Sequence, residues 1–297
     1  MNNQSVLKWL IPAIGSLALF AAGAGLFYQT PGAPYPFTSL RDEAVTITGH
    51  GLYAYETLAS TAQTQANDLV TLVIGLPLLA VSTCLAFRGS LRGRLLLVGT
   101  LGFFLYTYMS MAFLSAYNSL FLVYVALFSA SLFAFILAML AIDLQELPGH
   151  FSKRLPRGWI AGFLFTIGGF LFLAWMGRIV PPLLQHSLPG LQNGTTLVIQ
   201  AMDLGLIAPL AMLSGILLLR RSPWGYLLAS VALMKGLSMS IAVGAMAINQ
   251  VLQGVAVSPI EVVMFPSLAL ANLVMAGLLL GNIDRRDNLY NAGTIPN

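Results

Sequence analysis

Residues 65–69 read QANDL and residues 200–204 read QAMDL, so a very apolar chain writes an aspartate into the same word twice. A third charge, Lys235, stands in the apolar run LMKGLSMS. Carboxylates and an amine at such places can bind and release protons, pair with each other, or hold a ligand away from water. An ionised residue at mid-bilayer costs about 2.5–3.5 kcal/mol on insertion scales and usually faces a bundle interior or a wet cavity, so depth decides what each one does. Asp68 lies twenty residues before Arg88, about 30 Å at helical rise, which predicts an outer-boundary carboxylate at a helix N-terminus. Asp203 lies seventeen residues before Arg220, about 25 Å, and is expected about two turns inside a helix starting near Thr195 or Thr196. Lys235 lies ten residues past Gly225, about 15 Å up a roughly 30 Å core. Its stem can carry the ammonium outward toward Asp203, and a Lys235–Asp203 pair is the expected contact.

Further polar groups gather in the outer half. Tyr106 and Tyr108 stand high on one apolar segment, where an aromatic belt is the simplest reading; Tyr117, Asn118 and Tyr124 follow at its outer turn, and Asn272 interrupts the last segment. Ser258, Pro259 and Glu261 fit a capping box opening that segment. His50 and His186 fall in outer loops fifteen and fourteen residues before Gln65 and Gln200. Imidazoles and carboxylates suit divalent metals, but no close spacing supports a metal site. The single cysteine, Cys84, reads as a small core residue. Walker A, GxSxG, HExxH, EF-hand and dinucleotide-binding patterns are missing from the chain, so no catalytic residue, metal or cofactor is assigned.

The elements that must position these groups follow from composition. The chain has 297 residues, 58% hydrophobic and 8% charged, with mean hydropathy +0.83, where a soluble domain carries about 25% charged residues. A spanning helix needs about 20 apolar residues. Eight segments qualify, at roughly 8–28, 66–87, 95–114, 119–142, 158–180, 197–219, 225–247 and 262–281. The fold class is therefore all-α, a polytopic membrane bundle of eight transmembrane helices. With the N-terminus cytoplasmic, eleven of the fourteen basic residues fall at inner joints: Lys8; Arg88, Arg92, Arg94; Lys153, Arg154, Arg157; Arg220, Arg221; Arg285, Arg286. Both termini are then cytoplasmic, by the positive-inside rule, and Trp9, Trp159 and Trp224 sit at inner helix ends. The pI near 9.3 is thus a topology signal, and the lipid bilayer, not nucleic acid, is the partner it implies. The first apolar run exceeds the usual 7–15 residues of a signal-peptide core and reads as an uncleaved helix.

The two words belong to a longer match. Each is followed by an apolar run and a basic joint, RGSLRGR at 88–94 and RRSPWG at 220–225, with Arg88 and Arg220 each five residues before a glycine. Upstream, KWLIPAIG (8–15) parallels RGWIAGFL (157–164). The chain reads as a tandem 4+4 parallel repeat in one membrane domain, halves 1–148 and 149–297, with a pseudo-two-fold axis along the membrane normal.

The stretch RGSLRGRLLLVGTLGFFLYTYMSMAF followed by YNSLFLVYVALFSASLFAF (88–135), and QAMDLGLIAPLAMLSGILLLRRSPWGYLLA (200–229), resemble a group of multi-pass bacterial membrane proteins. The resemblance covers most of the spans and two inner loops. That family carries no assigned activity, so it implies an inner-membrane topology and transfers no catalytic residue. Three functions fit the residues. The first is a small-solute or proton-coupled permease using Asp203, Lys235 and Asp68, with Tyr106, Tyr108, His50, His186 and Asn272 as further ligand or proton sites. The second is a ligand-sensing or assembly protein receiving a partner on the long outer loop at 29–64. The third is a membrane enzyme. Oligomeric state is not written in the sequence.

Overall fold

A computed structural model describes residues 3–284; Arg285 and Arg286, counted above among the inner basic residues, lie outside them. Eight helices are long and apolar enough to cross a membrane. They comprise α1 (Asn3–Phe27), the segment α2 (Leu58–Val70) to α3 (Leu76–Phe87), α4 (Leu91–Leu114), α5 (Phe121–Leu140), α6 (Arg157–Leu184), the segment α7 (Val198–Met202) to α8 (Ala208–Leu219), α9 (Pro223–Leu252) and α10 (Pro259–Gly281). The chain is a multi-pass membrane bundle. Its two most enclosed helices are α4 and α9, which pack on each other at the centre. Gly99 sets that approach: a Cβ there would fall 2.1 Å from Met234 Cβ, so only a glycine admits the crossing. Cys84, expected in the core, is exposed on the bundle's apolar flank, a place where a small apolar side chain meets lipid at no cost.

The joints at 88–94 and 220–225 share their geometry at an offset of 132 positions. Ser90 and Ser222 are the N-caps of α4 and α9. The N–H of Ser90 donates to Leu85 O, and that of Ser222 to Leu217 O. Gly89 (φ 86) and Arg221 (φ 55) both take the left-handed conformation that closes a helix. Gly93 and Gly225 each lie against the backbone of the helix just ended, where a Cβ would fall 2.6 Å from Ala86 N and 2.3 Å from Leu218 N.

A second shared feature lies above. The helix widens to a π turn at Thr71–Gly75 and again at Asp203–Ile207, also 132 apart. Prolines account for both. Pro77 and Pro209 lack the N–H that would reach the carbonyls of Val73 and Gly205 four residues back, and each π turn brackets that carbonyl. The ladder instead closes five residues back, from Leu76 N to Thr71 O and from Ala208 N to Asp203 O. Where a proline inside a helix commonly forces a kink, the chain inserts one wide turn. The 132 register also shows that the aspartates are not equivalent. Asp203 stands at the place of Thr71, one turn deeper than Asp68.

The end of the bundle opposite these joints carries structure the sequence did not announce. Strands β1 (Tyr35–Thr38) and β2 (Ala44–Ile47) form an antiparallel hairpin. Its tip grips the second half's outer loop. The Arg41 guanidinium donates to Gly194 O at 2.8 Å, and the Glu43 carboxylate accepts the N–H groups of Leu191 and Gln192 at 3.0 and 2.9 Å. Nearby Glu56 is buried and accepts the N–H of Ala116 at 2.6 Å at the end of α4. Burial pushes the Glu56 carboxyl above the ordinary range.

The Glu43 clamp yields a pH prediction. The Leu191 and then the Gln192 N–H hold the Glu43 carboxyl below its ordinary value of 4.5, because they bond the ionised form. The clamp is therefore fully present above that ordinary value and is lost as pH falls through the lowered one. Hydrogen exchange, corrected for intrinsic rate, should show Leu191 and Gln192 protected at neutral pH and exposed in acid. Glu43→Ala should expose them at neutral pH; unchanged protection would show that the carboxylate does not hold this loop.

Candidate functional site

Asp203 opens the second π turn and is 8% exposed. Two donors hold it. Tyr106 Oη donates to Oδ1 at 2.6 Å from α4, and Trp175 Nε1 donates to Oδ2 at 3.0 Å from α6. Hydrogen bonds to a charged group contribute about 1.5–3 kcal/mol each, enough between them to offset the cost of an aspartate near the end of a span, which is below the roughly 2.5–3.5 kcal/mol of mid-bilayer. Lys235 Nζ lies over the face of the Tyr106 ring, 3.9 Å from its centroid. The one phenol thus faces a cation with its ring and a carboxylate with its hydroxyl. The expected direct Lys235–Asp203 ion pair is corrected: the contact found between them runs through Tyr106. A desolvated cation–π contact contributes about 2 kcal/mol, which lets the ring stand in for the carboxylate. The Lys235 stem passes Gly102, 3.6 Å from where a Cβ would stand, so the side chain does reach outward as expected.

Asn272 braces the turn that carries Lys235. In the orientation that satisfies its amide, it donates to Leu233 O at 2.9 Å and accepts the Leu237 N–H at 3.1 Å. It engages an i, i+4 backbone pair of α9 from α10, and Gly236 leaves the space for it.

Asp68 is also corrected. The helix begins at Leu58, with Thr57 as its cap, so Asp68 lies three turns inside and is 2% exposed. The polar run STAQTQAN extends the helix outward and removes the cap role. Tyr53 Oη donates to Asp68 Oδ2 at 2.5 Å. Gly25 of α1 closes the pair: a Cβ there would lie 2.0 Å from Asp68 Oδ2 and 2.5 Å from Tyr53 Oη. Just outside is a small cleft of about 20 Å³, room for about one water, lined by Gly25, Gln29, His50, Tyr53, Thr61 and Gln65. Tyr53 thus joins this outer cleft to the buried carboxylate.

The glutamines of the polar run bind the halves together above the site. Gln253 donates to Gln65 at 2.9 Å, Gln63 to Gln250 at 3.1 Å, and Asn249 to Ala62 O at 2.7 Å, all between α2 and the outer end of α9.

Asp203, Lys235, Tyr106 and Asn272 thus come together around α9, while Asp68 and His50 form a second, more external group. Tyr106 and Tyr108 are buried rather than belted at the interface, and Tyr108 stacks with Phe104 and Tyr124. His186 is exposed at a positive-φ turn and joins neither group. Ser258 caps α10 without a side-chain bond, so the capping box with Glu261 does not form. Among the described residues no group of three or more His, Cys, Asp or Glu could hold a metal. The Gly-rich stretches at Gly23–Gly25 and Gly168–Gly169 are sequence candidates for close helix packing; Gly25 and Gly168 do pack closely, and Gly23 and Gly169 meet nothing within 4 Å.

Two residues escaped the sequence reading. Trp175 was legible: it lies eighteen residues past Arg157, about 27 Å at helical rise, the depth given for Asp203. Tyr53 had no local signal, since a long segment brings it back. No family model, curated protein or solved structure matches this chain.

Two predictions follow from this geometry. Gly25→Ala should lose about 1–3 kcal/mol of stability through overpacking, read as a lower melting temperature in detergent, while Gly23→Ala should be neutral; equal effects would contradict the packing on Asp68. Tyr106→Phe keeps the ring and removes a donor, and should cost about 1–3 kcal/mol. Tyr106→Leu also removes the cation–π face and should cost more; an equal loss in thermal unfolding would mean that the ring contact is idle.

Proposed function

We propose that this protein is a proton-coupled permease for a small solute, seated in the inner membrane with both termini cytoplasmic. Its polar site lies in the outer half of the bundle. The observation that carries the reading is the Tyr106–Asp203 bond, in which a buried carboxylate of the second half takes its donor from the first. A proton arriving on Asp203 weakens that bond, because a neutral acid is a poorer acceptor. The seam between the halves then loosens where Lys235 faces it. The ionisable groups set around Asp203 are Tyr106 and Lys235, and Asp68 with Tyr53 supplies a second proton site nearer the outer cleft. His50 on that cleft provides an entry point.

The shared joints and π turns at an offset of 132 support a tandem 4+4 repeat, with α4 and α9 as equivalent central helices. Repeats related by an axis along the membrane normal suit alternating access by rocking of the halves. The glutamine contacts between α2 and α9 close the outer side in this conformation. A second reading, a ligand-sensing protein that moves no solute, is favoured by the outer cleft and by the clamp between the outer loops.

The two readings separate in vesicles containing the full chain. The permease should take up at least one solute from a small-metabolite pool when the outside is acidic. A protonophore should abolish that uptake, and Asp203→Asn should lower it at least about tenfold at equal protein level. Uptake that ignores the pH gradient, or that survives in Asp203→Asn, would defeat the proton-coupled reading. A pH-dependent change in emission without any uptake would favour sensing.

A further inference from the structure

Lys235 is 7% exposed, and its ammonium has three N–H donors. Among the described residues its contacts are the Tyr106 ring face and the longer-range charge of Asp203; no hydrogen-bond acceptor reaches it. The Asp203 oxygens accept from Tyr106 and Trp175. Most of the Lys235 side chain is buried, and an ammonium short of acceptors is costly unless a partner completes it. Neighbouring turns carry buried hydroxyls that likewise lack partners. Ser238 Oγ is one turn outward on the same face of α9, and Thr107 Oγ1 follows Tyr106 on α4. These two helices pack against each other.

We propose that the Lys235 ammonium is a binding site for the carboxylate of a small monocarboxylate solute, held between α4 and α9 with hydroxyl support from Ser238 and Thr107. Charge selects the class. Lys235 and Asp203 sum to zero, so a monoanion accompanied by one proton on Asp203 leaves the site neutral, whereas a phosphate dianion would leave an uncompensated charge within the membrane. A carboxylate also offers two oxygens to donors on different helices, which chloride cannot. This inference names the solute class of the proposed permease and rests on that reading.

The test uses the full chain in lipid nanodiscs with Trp175 as its one tryptophan, made by Trp9→Phe, Trp159→Phe and Trp224→Phe. Acetate and L-lactate are titrated at constant ionic strength, with chloride and phosphate as controls. The expected result is a saturable change in Trp175 emission with the carboxylates and none with the controls. Half-saturation should rise at least tenfold in Lys235→Gln and Lys235→Met. The melting temperature of the wild-type chain should also rise with acetate relative to chloride, a readout that needs no variant to fold. The site is refuted by three outcomes: no response to any carboxylate, an equal response to chloride, or unchanged half-saturation in a folded Lys235→Gln. Vesicle uptake distinguishes the two layers. Carboxylate binding without gradient-driven uptake would sink the permease and keep the site. Gradient-driven uptake of a neutral solute that persists in Lys235→Gln would sink the site and keep the permease.

Discussion

Inside hydrocarbon a carboxylate has no water to accept from, so each buried aspartate must be given its donors by the protein. Asp203 draws one from α4 and one from α6, and Asp68 draws one from the loop that precedes α2. Much of the surrounding architecture serves those bonds. Tyr106 reaches Asp203 because α4 occupies the centre of the bundle. Tyr53 reaches Asp68 because the outer segment doubles back through the β hairpin and is pinned there by Thr48, whose hydroxyl meets that of Thr61 at 2.6 Å. Gly25 and Gly99 let helices approach to distances that any side chain would forbid.

The prolines add a local device. A straight α-helix through Asp203 would fix the direction of its side chain by the 3.6-residue period. Widening the turn to five-residue closure shifts that direction and leaves a backbone less tightly bonded than its neighbours. That the same wide turn recurs 132 positions earlier, around Thr71 where no charge stands, separates the backbone feature from the carboxylate. The turn is set by Pro77 and Pro209; the acid is an addition in one case and lies one turn higher in the other.

The fold was largely legible because lipid imposes a simple rule. Runs of apolar residues, interrupted by arginines, glycines and serines, gave all eight spans, and their joints fall where the helices turn. Span ends were less legible: α2 starts eight residues before the expected start at 66, since Thr57 caps it outside the apolar run. The site was legible as a set of residues and less so as a set of contacts. Depth along a helix follows from rise per residue and brought Lys235 and Asp203 to neighbouring heights. Which way each faces depends on helix rotation, which a uniformly apolar sequence does not encode. Hence Tyr106, legible as belt material and as a candidate site, gave no sign that its phenol joins acid to amine.

The account turns on the Tyr106–Asp203 bond across the two halves. A double-mutant cycle with Tyr106→Phe, Asp203→Asn and the pair, read as unfolding free energy in a single detergent, measures it most directly. A coupling of about 1–3 kcal/mol is the predicted result for a charged hydrogen bond. Additive losses, with no coupling beyond about 0.3–0.5 kcal/mol, would mean that the phenol and the carboxylate do not hold one another and that the central seam has some other basis.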